Sequence, residues 1–280
     1  MPKLTRRHFL ALGGASVLTA TAGTTIYLQR NDESQHVVVE HIELPIANLG
    51  AAFDGFKIVQ LSDFHLRPLT EPPLIKEAVA VANSLNPDVT LLTGDNVWRE
   101  VEAAFELAPI LGTLNAKHGV FSVMGNHDYW TDAAVVSQAF AEARIPILIN
   151  QGLTLSEAQD QLYLAGLDDG WSGHPNLTDA MDGAPERAPV VLLLHEPDLA
   201  DEYASDGRIV LQLSGHSHGG QIRFPRVGAL ILPYLGRKYD MGLYRVGDMW
   251  LYTNRGIGVT NEPIRVNCAP EVTEITLVRA

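Results

Sequence analysis

Short runs of consecutive apolar residues recur along the chain, and almost every one stops abruptly at a polar cluster. Val89-Thr90-Leu91-Leu92, Val120-Phe121-Ser122-Val123-Met124, Val190-Val191-Leu192-Leu193-Leu194 and Ile209-Val210-Leu211-Gln212-Leu213 are the clearest. Runs this short and this continuously apolar predict strands buried on both faces. Strands are expected at 36–44, 56–61, 89–93, 120–124 and 145–150, and again at 161–166, 190–194, 209–213, 249–252 and 272–278. Longer segments with apolar positions three and four apart predict helices at 72–86, 101–114 and 132–143, the last opened by Asp132 as a capping side chain. A shorter helical segment is expected at 195–204. The first half thus alternates strand and helix and the second is rich in strands. That order fits an α/β domain of two mixed β-sheets packed as a sandwich with flanking helices.

The polar clusters sit where the strands end, and in open α/β sheets ligands gather at that edge. Ser62-Asp63-Phe64-His65 follows the strand ending at Leu61, and if extended geometry continues, Asp63 and His65 share a face. Thr93-Gly94-Asp95-Asn96 follows the next strand and delivers Asp95. Gly125-Asn126-His127-Asp128, read as a tight turn, offers an amide oxygen, an imidazole and a carboxylate able either to orient that imidazole or to serve the N-terminus of the following helix. His195 follows a fourth run, and Gly215-His216-Ser217-His218-Gly219-Gly220 a fifth. Imidazole, carboxylate and amide oxygen with no thiolate suit a divalent cation such as Mn, Fe, Zn or Co without choosing among them.

Charge and termini narrow the setting. The 280 residues carry a formal net charge of −13 and a single cysteine, Cys268, which excludes an internal disulfide. Thr5-Arg6-Arg7-His8-Phe9-Leu10, the mild apolar stretch to Leu28 and the small residues Ala20-Thr21-Ala22 have the layout of an export signal. The arginine pair resembles a twin-arginine signal. Residues 1–30 are therefore expected to be leader and linker, and 31–280 the folded domain. Cleavage after Ala22 would remove Lys3, Arg6 and Arg7 and no acid, taking the charge to −16. Such a surface disfavours nucleic acid as a stable partner. No apolar run is as long and pure as the roughly 18 residues a membrane-spanning helix needs.

Taken together and in order, Asp-x-His, Gly-Asp, Gly-Asn-His-Asp, a single His and Gly-His-x-His resemble the calcineurin-like metallophosphoesterases. The run from Gly219 to Pro225, with Leu235-Gly236-Arg237 and Asn254-Arg255-Gly256, is similar to their bacterial exported, often cell-wall-associated branch. The resemblance implies a four-layer fold and two divalent metal ions. One ion would be held by Asp63, His65, Asp95 and His218, the other by Asp95, Asn126, His195 and His216, with Asp95 bridging. It also implies His127 as a catalytic group and a water between the ions as nucleophile toward a phosphate-ester substrate.

For the substrate phosphate, Arg223, Arg226, Arg237, Lys238, Arg245 and above all Arg255 are candidate clamps, and Phe64, Tyr129 and Trp130 candidate pocket walls. The expected function is hydrolysis of phosphodiesters, with monoesters as a further class, in the periplasm or cell envelope. The expected partners are the twin-arginine export machinery and the cell wall or membrane periphery. The alternatives are a pyrophosphatase on a nucleotide-linked lipid precursor such as UDP-diacylglucosamine, and a non-catalytic metal-dependent envelope-binding module.

Overall fold

The computed structural model describes residues 24–280. Most of the expected leader lies outside them; residues 24–30 are helical, and no helix among the described residues is long and apolar enough to cross a membrane.

Two large mixed sheets face each other. The first has five strands: β1 (Val38–Ile46), β2 (Phe56–Leu61), β3 (Val89–Leu92), β4 (Val120–Ser122) and β13 (Glu271–Arg279), in the order β1-β13-β2-β3-β4. β13 lies parallel to β1 and antiparallel to β2, while β2, β3 and β4 are parallel. The second sheet has six strands: β5 (Gln151–Glu157), β6 (Asp160–Gly166), β7 (Val190–Leu193), β8 (Ile209–Ser214), β11 (Gly242–Val246) and β12 (Met249–Thr253), in the order β11-β12-β8-β7-β6-β5. Its central strands β6, β7, β8 and β12 are parallel. A small hairpin, β9 (Arg223–Phe224) with β10 (Gly228–Ala229), stands apart from both.

Alternation along each strand explains the layering, because successive side chains point to opposite faces. Ile58, Leu91, Ile275, Leu164, Val191, Leu193 and Leu211 meet between the sheets. Val59, Leu61 and Leu92 instead face α1 (Pro72–Ser84), α2 (Ala103–Leu111) and α4 (Ala133–Glu142) on the outer side of the first sheet. Tyr163, Val190 and Leu192 face α5 (Leu177–Ala180) and α6 (Ala200–Tyr203) on the outer side of the second. Helix, sheet, sheet, helix is the four-layer sandwich the apolar pattern and the resemblance lead one to expect.

Three local expectations are corrected. The segment 145–150 is not a strand. Pro146 has no N–H to give a ladder; the segment makes one bridge, Ile147 with Ser122, and then turns at Asn150, whose φ is 53°. The strand begins only at Gln151, and its exposed, sparsely apolar pattern hid it. The helix expected over 195–204 is a single turn of 3-10 helix at Pro197–Leu199 followed by the four-residue α6. Finally, Asn126-His127-Asp128 does not form a tight turn but opens a short helix, α3 (Asn126–Thr131), with Gly125 as its extended N-cap. Asp132 then caps α4 as expected, accepting from the N–H groups of Ala134 and Val135.

Candidate metal centre

All seven residues expected to bind metal come together where the parallel strands end. β2 leads to Asp63 and His65, β3 to Asp95, β4 to Asn126, β7 to His195, and β8 to His216 and His218. The two sheets therefore each contribute one side of the site. All seven are at most 4% exposed. The backbone is strained to achieve this: Asp63, His65, Asp95, His216 and His218 all have φ between 43° and 71°. Non-glycine residues in that region cost free energy and cluster at functional sites.

The donors form two groups. Asp63, His65 and His218 offer atoms within 4.8 Å of one another, as do Asp95, His195 and His216. Asp95 joins the groups. Its Oδ1 accepts from the backbone N–H of His127 at 2.8 Å, which leaves Oδ2 3.1 Å from His195 Nε2 and 3.4 Å from His65 Nε2. Asp63 is fixed likewise, its carboxylate accepting from the N–H of His216 at 3.0 Å.

Backbone carbonyls set two of the rings. His195 Nδ1 donates to Thr93 O at 2.6 Å and His216 Nε2 to Tyr234 O at 2.7 Å, so in the neutral form of each ring the opposite nitrogen carries the lone pair. Those opposite nitrogens, His195 Nε2 and His216 Nδ1, are buried without a hydrogen-bond partner, and so is Asn126 Oδ1. Buried polar atoms are rarely left so. Three orphaned electron-pair donors beside two buried carboxylates fit divalent cations.

Two glycines permit the approach of the strand ends. A Cβ on Gly94 would lie 2.8 Å from His195 Nδ1 and 2.8 Å from Gly125 N, and one on Gly125 would lie 2.3 Å from Asp95 Oδ1.

The centre forms one end of a cavity of about 790 Å³, lined there by Asp95, Asn126, His127, His216 and His218. His127 stands on its wall. The ring stacks on Trp98 at 4.0 Å between centroids and meets Trp130 edge-on at 4.6 Å. Burial pushes its pKa down to about 3, against the Asp95 carboxylate, which works to raise it.

Comparison with known proteins fits this geometry. Residues 56–220, which span all seven donors and His127, match the family model described as calcineurin-like phosphoesterase. The chain belongs to the calcineurin-like phosphoesterase family. It is 34% identical to the uncharacterized metallophosphoesterase YkuE of Bacillus subtilis over 99% of either chain. It is 31% identical to the phosphodiesterase YaeI of Escherichia coli, over 98% of this chain and all of that one. Among solved structures, TT1561 of Thermus thermophilus shares the fold with a TM-score of 0.52, at 11% identity, over 72% of this chain and 90% of that one. The protein is thus a hydrolase of the phosphoesterase class.

Within this phosphoesterase, charge is balanced by the carboxylates. Burial works against the charged forms of Asp63 and Asp95, but the surrounding histidines outweigh it and hold both acids well below the usual carboxylate range. For His195, burial again opposes charge, and the carboxylates of Asp95 and Asp63 overcome it and raise the ring. Burial lowers His216, and takes His218 down to about 4.

Some expected roles change. Of the two roles open to Asp128, the structure shows the one at a helix N-terminus, where it accepts from the N-cap Gly125, and not the orientation of His127. The Asp128 carboxylate accepts from the N–H groups of Asn96, Val97 and Gly125 and from the Asn96 side chain, which clamps the β3 and β4 turns together. Arg255 does not face the cavity; it pairs with Glu40 at 2.6 Å and with buried Glu271. Arg223 pairs with Asp240 and Lys238 with Asp201. None of the six basic residues singled out from the sequence lines the cavity, whereas Arg99 does, its guanidinium 5.2 Å from the Trp98 ring. Its place just after the Gly94-Asp95-Asn96 block was the available signal. Phe64 is fully buried core, Tyr129 bonds Asp168, and Trp130 does wall the cavity.

Sequence reasoning also missed Arg265 and Trp171. Arg265 is fully buried and donates to Gly258 O, Cys268 O and Arg255 O, with Nη2 3.2 Å from His218 Nδ1. Trp171 sits on a turn built by two buried acids: Asp169 accepts from the Trp171 and Ser172 N–H groups, and Glu196 accepts from Gly170 N. Burial, then the neighbouring Asp169 side chain, raises Glu196 well above an ordinary carboxyl.

Proposed function

We propose that this phosphoesterase is a two-cation phosphodiesterase, able to take monoesters as well, and that it works outside the cytoplasm. The observation that carries the first part is the pair of buried donor groups joined through Asp95 at one end of an open cavity. Asp63, His65, Asp95 and His218 would hold one cation, and Asp95, Asn126, His195 and His216 the other. The chemistry such a pair of divalent cations would supply is an acidified water and neutralisation of charge on the phosphoryl oxygens.

The remaining chemistry belongs to the side chains. His127 lies on the cavity wall beside Asn126; its backbone N–H donates to Asp95, and its ring packs against Trp98, Trp130 and His65. It is assigned the role of donor to the phosphoryl or leaving oxygen. A departing alkoxide is a poor leaving group unless it gains a proton, and an imidazole N–H facing the phosphate is placed to stabilise it. Arg99 supplies a cation near the mouth that pairs with a second phosphate oxygen.

Support for the extracytoplasmic site is the sequence Arg6-Arg7-His8-Phe9-Leu10 before an apolar stretch. Replacing Arg6 and Arg7 by Lys should leave the protein in the cytoplasm; arrival in the envelope by the same route refutes that part. The test of the catalytic part is elemental analysis of the loaded protein together with hydrolysis of bis(4-nitrophenyl) phosphate. Two ions per chain and metal-dependent cleavage are expected. At most one ion refutes the two-cation reading, and inertness toward every phosphate ester and diphosphate tested favours a binding module instead.

A further inference from the structure

Besides the donor groups the cavity carries a few polar residues, Arg99, Thr131, Gln221 and Thr260 to Glu262, and most of the remaining lining is apolar. Away from the donor groups one wall is aromatic, with Trp98, Trp130 and Trp171, and the facing wall is apolar, with Leu28, Ile222, Phe224, Leu230, Ile231 and Leu232. Several of these side chains are left in water: Trp130 is 53%, Leu230 68% and Ile231 83% exposed. Contiguous exposed apolar surface of this kind marks a binding site.

The second wall is also tied to the centre at both ends. The segment 221–234 leaves directly from the turn that carries His218, and it returns to the centre where Tyr234 O accepts from His216 Nε2. Gly220 holds the fold-back close, since a Cβ there would meet Ala229 Cβ at 2.4 Å. Trp171 bridges the two sides, 5.0 Å from Trp130 and 5.4 Å from Tyr234 between ring centroids. An apolar trough therefore begins at the cation donors and runs outward.

What such a trough accepts is constrained by charge. A nucleotide diphosphate or an anionic polymer needs a basic track for its further phosphates. Here Arg99 is the single Arg or Lys among the described cavity-lining residues, and the chain's net charge is −13. A single phosphate at the donors with a hydrocarbon tail along the two walls satisfies both halves.

We propose that the substrate class is amphiphilic: a phosphoester with one phosphate group and a long hydrocarbon chain, the chain lying between the Trp130–Trp171 side and the Leu230–Ile231 wall. The inference rests on the phosphodiesterase reading and deepens it. The reaction is hydrolysis. Water adds to phosphorus, the P–O bond to the leaving alcohol breaks, and that oxygen leaves with a proton.

The test is a series of alkyl 4-nitrophenyl phosphodiesters, methyl to decyl, each kept below its micellar concentration, with the metal-loaded full chain. Burial of methylenes should raise kcat/KM on the order of two- to fourfold per carbon until the wall is covered. Ile231→Asp and Leu230→Asp should each collapse the decyl-to-methyl ratio toward one. A second readout needs no turnover: decylphosphonate should perturb tryptophan fluorescence at least tenfold lower in concentration than methylphosphonate.

A flat series with esters still cleaved, or equal binding of the two phosphonates, overturns the inference and leaves the phosphodiesterase reading standing. Tight, Ile231-dependent decylphosphonate binding by a protein that cleaves no ester supports the trough and overturns the catalytic reading instead.

Discussion

Gly125→Ala tests the geometry of the centre most directly. Gly125 has φ −118° and ψ 173°, a conformation alanine adopts freely, so the backbone itself is not strained by the change. The whole effect comes from one added carbon. It would sit 2.3 Å from Asp95 Oδ1, 2.5 Å from Asp95 N and 2.8 Å from Asp95 Cγ. Relief to ordinary contact requires a shift of about 1 Å. Neither side moves freely. Asp95 Oδ1 is held by His127 N at 2.8 Å, and Gly125 N is held by Asp128 at 3.0 Å.

Overpacking of this kind costs about 1–3 kcal/mol. For a chain of this size that lowers Tm by roughly 2–4 °C per kcal/mol. The larger effect falls on function, because Asp95 Oδ2 must stay between His65 and His195. A misplacement of about 1 Å is expected to reduce kcat/KM on the order of 10²-fold. The assay is cleavage of bis(4-nitrophenyl) phosphate with metal content measured on the same preparation. Gly207→Ala is the control, since a Cβ there meets nothing within 4 Å. If Gly125→Ala retains two ions and kcat/KM within about twofold of the parent, Asp95 is not the tightly confined bridge described, and the reasoning fails.

His127→Ala should keep both cations and lose about 10²–10⁴ in kcat on an alkyl ester, with a smaller loss on a nitrophenyl ester; loss of a cation would make His127 a ligand, and an equal loss on both esters would assign it to the phosphoryl oxygen rather than the leaving group. Asp95→Ala should strip both cations and His218→Ala chiefly one, as read by elemental analysis; equal losses from the two variants would remove Asp95 from its bridging place. Asp128→Ala leaves the N–H groups of Asn96, Val97 and Gly125 without their acceptor and should cost at least about 3 kcal/mol in denaturant unfolding, whereas an unchanged midpoint would show that water replaces the clamp. The stabilisation produced by added Mn(II) should grow from about pH 6 to 8: His195 is raised in the cation-free fold, so its protonated form stabilises that fold below 6.5 and the contribution disappears as pH rises through the raised value, while the cation takes only the neutral ring. Burial already keeps His216 and His218 neutral across that window, and a Tm gain independent of pH would contradict this balance.

The donors were legible in the sequence because each is fixed by its neighbours: a strand stops, the backbone turns through positive φ, and Asp63, Asp95 or His216 is left at the end. What pairs across the molecule was not. Asp128 lies beside His127 in sequence and caps its own helix at Gly125, yet it also bonds Asn96 and Val97, 32 and 31 positions earlier, which no local pattern shows. Arg255, the foremost candidate clamp, sits in a glycine-rich turn, but Glu40 and Glu271 reach it from β1 and β13. Arg265 and Trp171 carry no local motif; their roles exist only once the second sheet has brought their loops to the centre. β5 and β11 escaped notice because edge strands bury too little to show a pattern.

The placement of β13 has a consequence for how the protein comes into being. It lies between β1 and β2 and is the only link between them in the first sheet as described. In the order of synthesis it emerges after every one of the seven donors. Until then β1 has no neighbour, β2 has an open edge, and the inner face of the sheet lacks Ile275 and Leu277. The donor-bearing turns leave the ribosome well before the scaffold that holds them at bonding distance can close. Cation capture is thereby deferred until β13 has been made, and an elongation arrest just short of Glu271 would yield a polypeptide carrying every ligand and no competent centre.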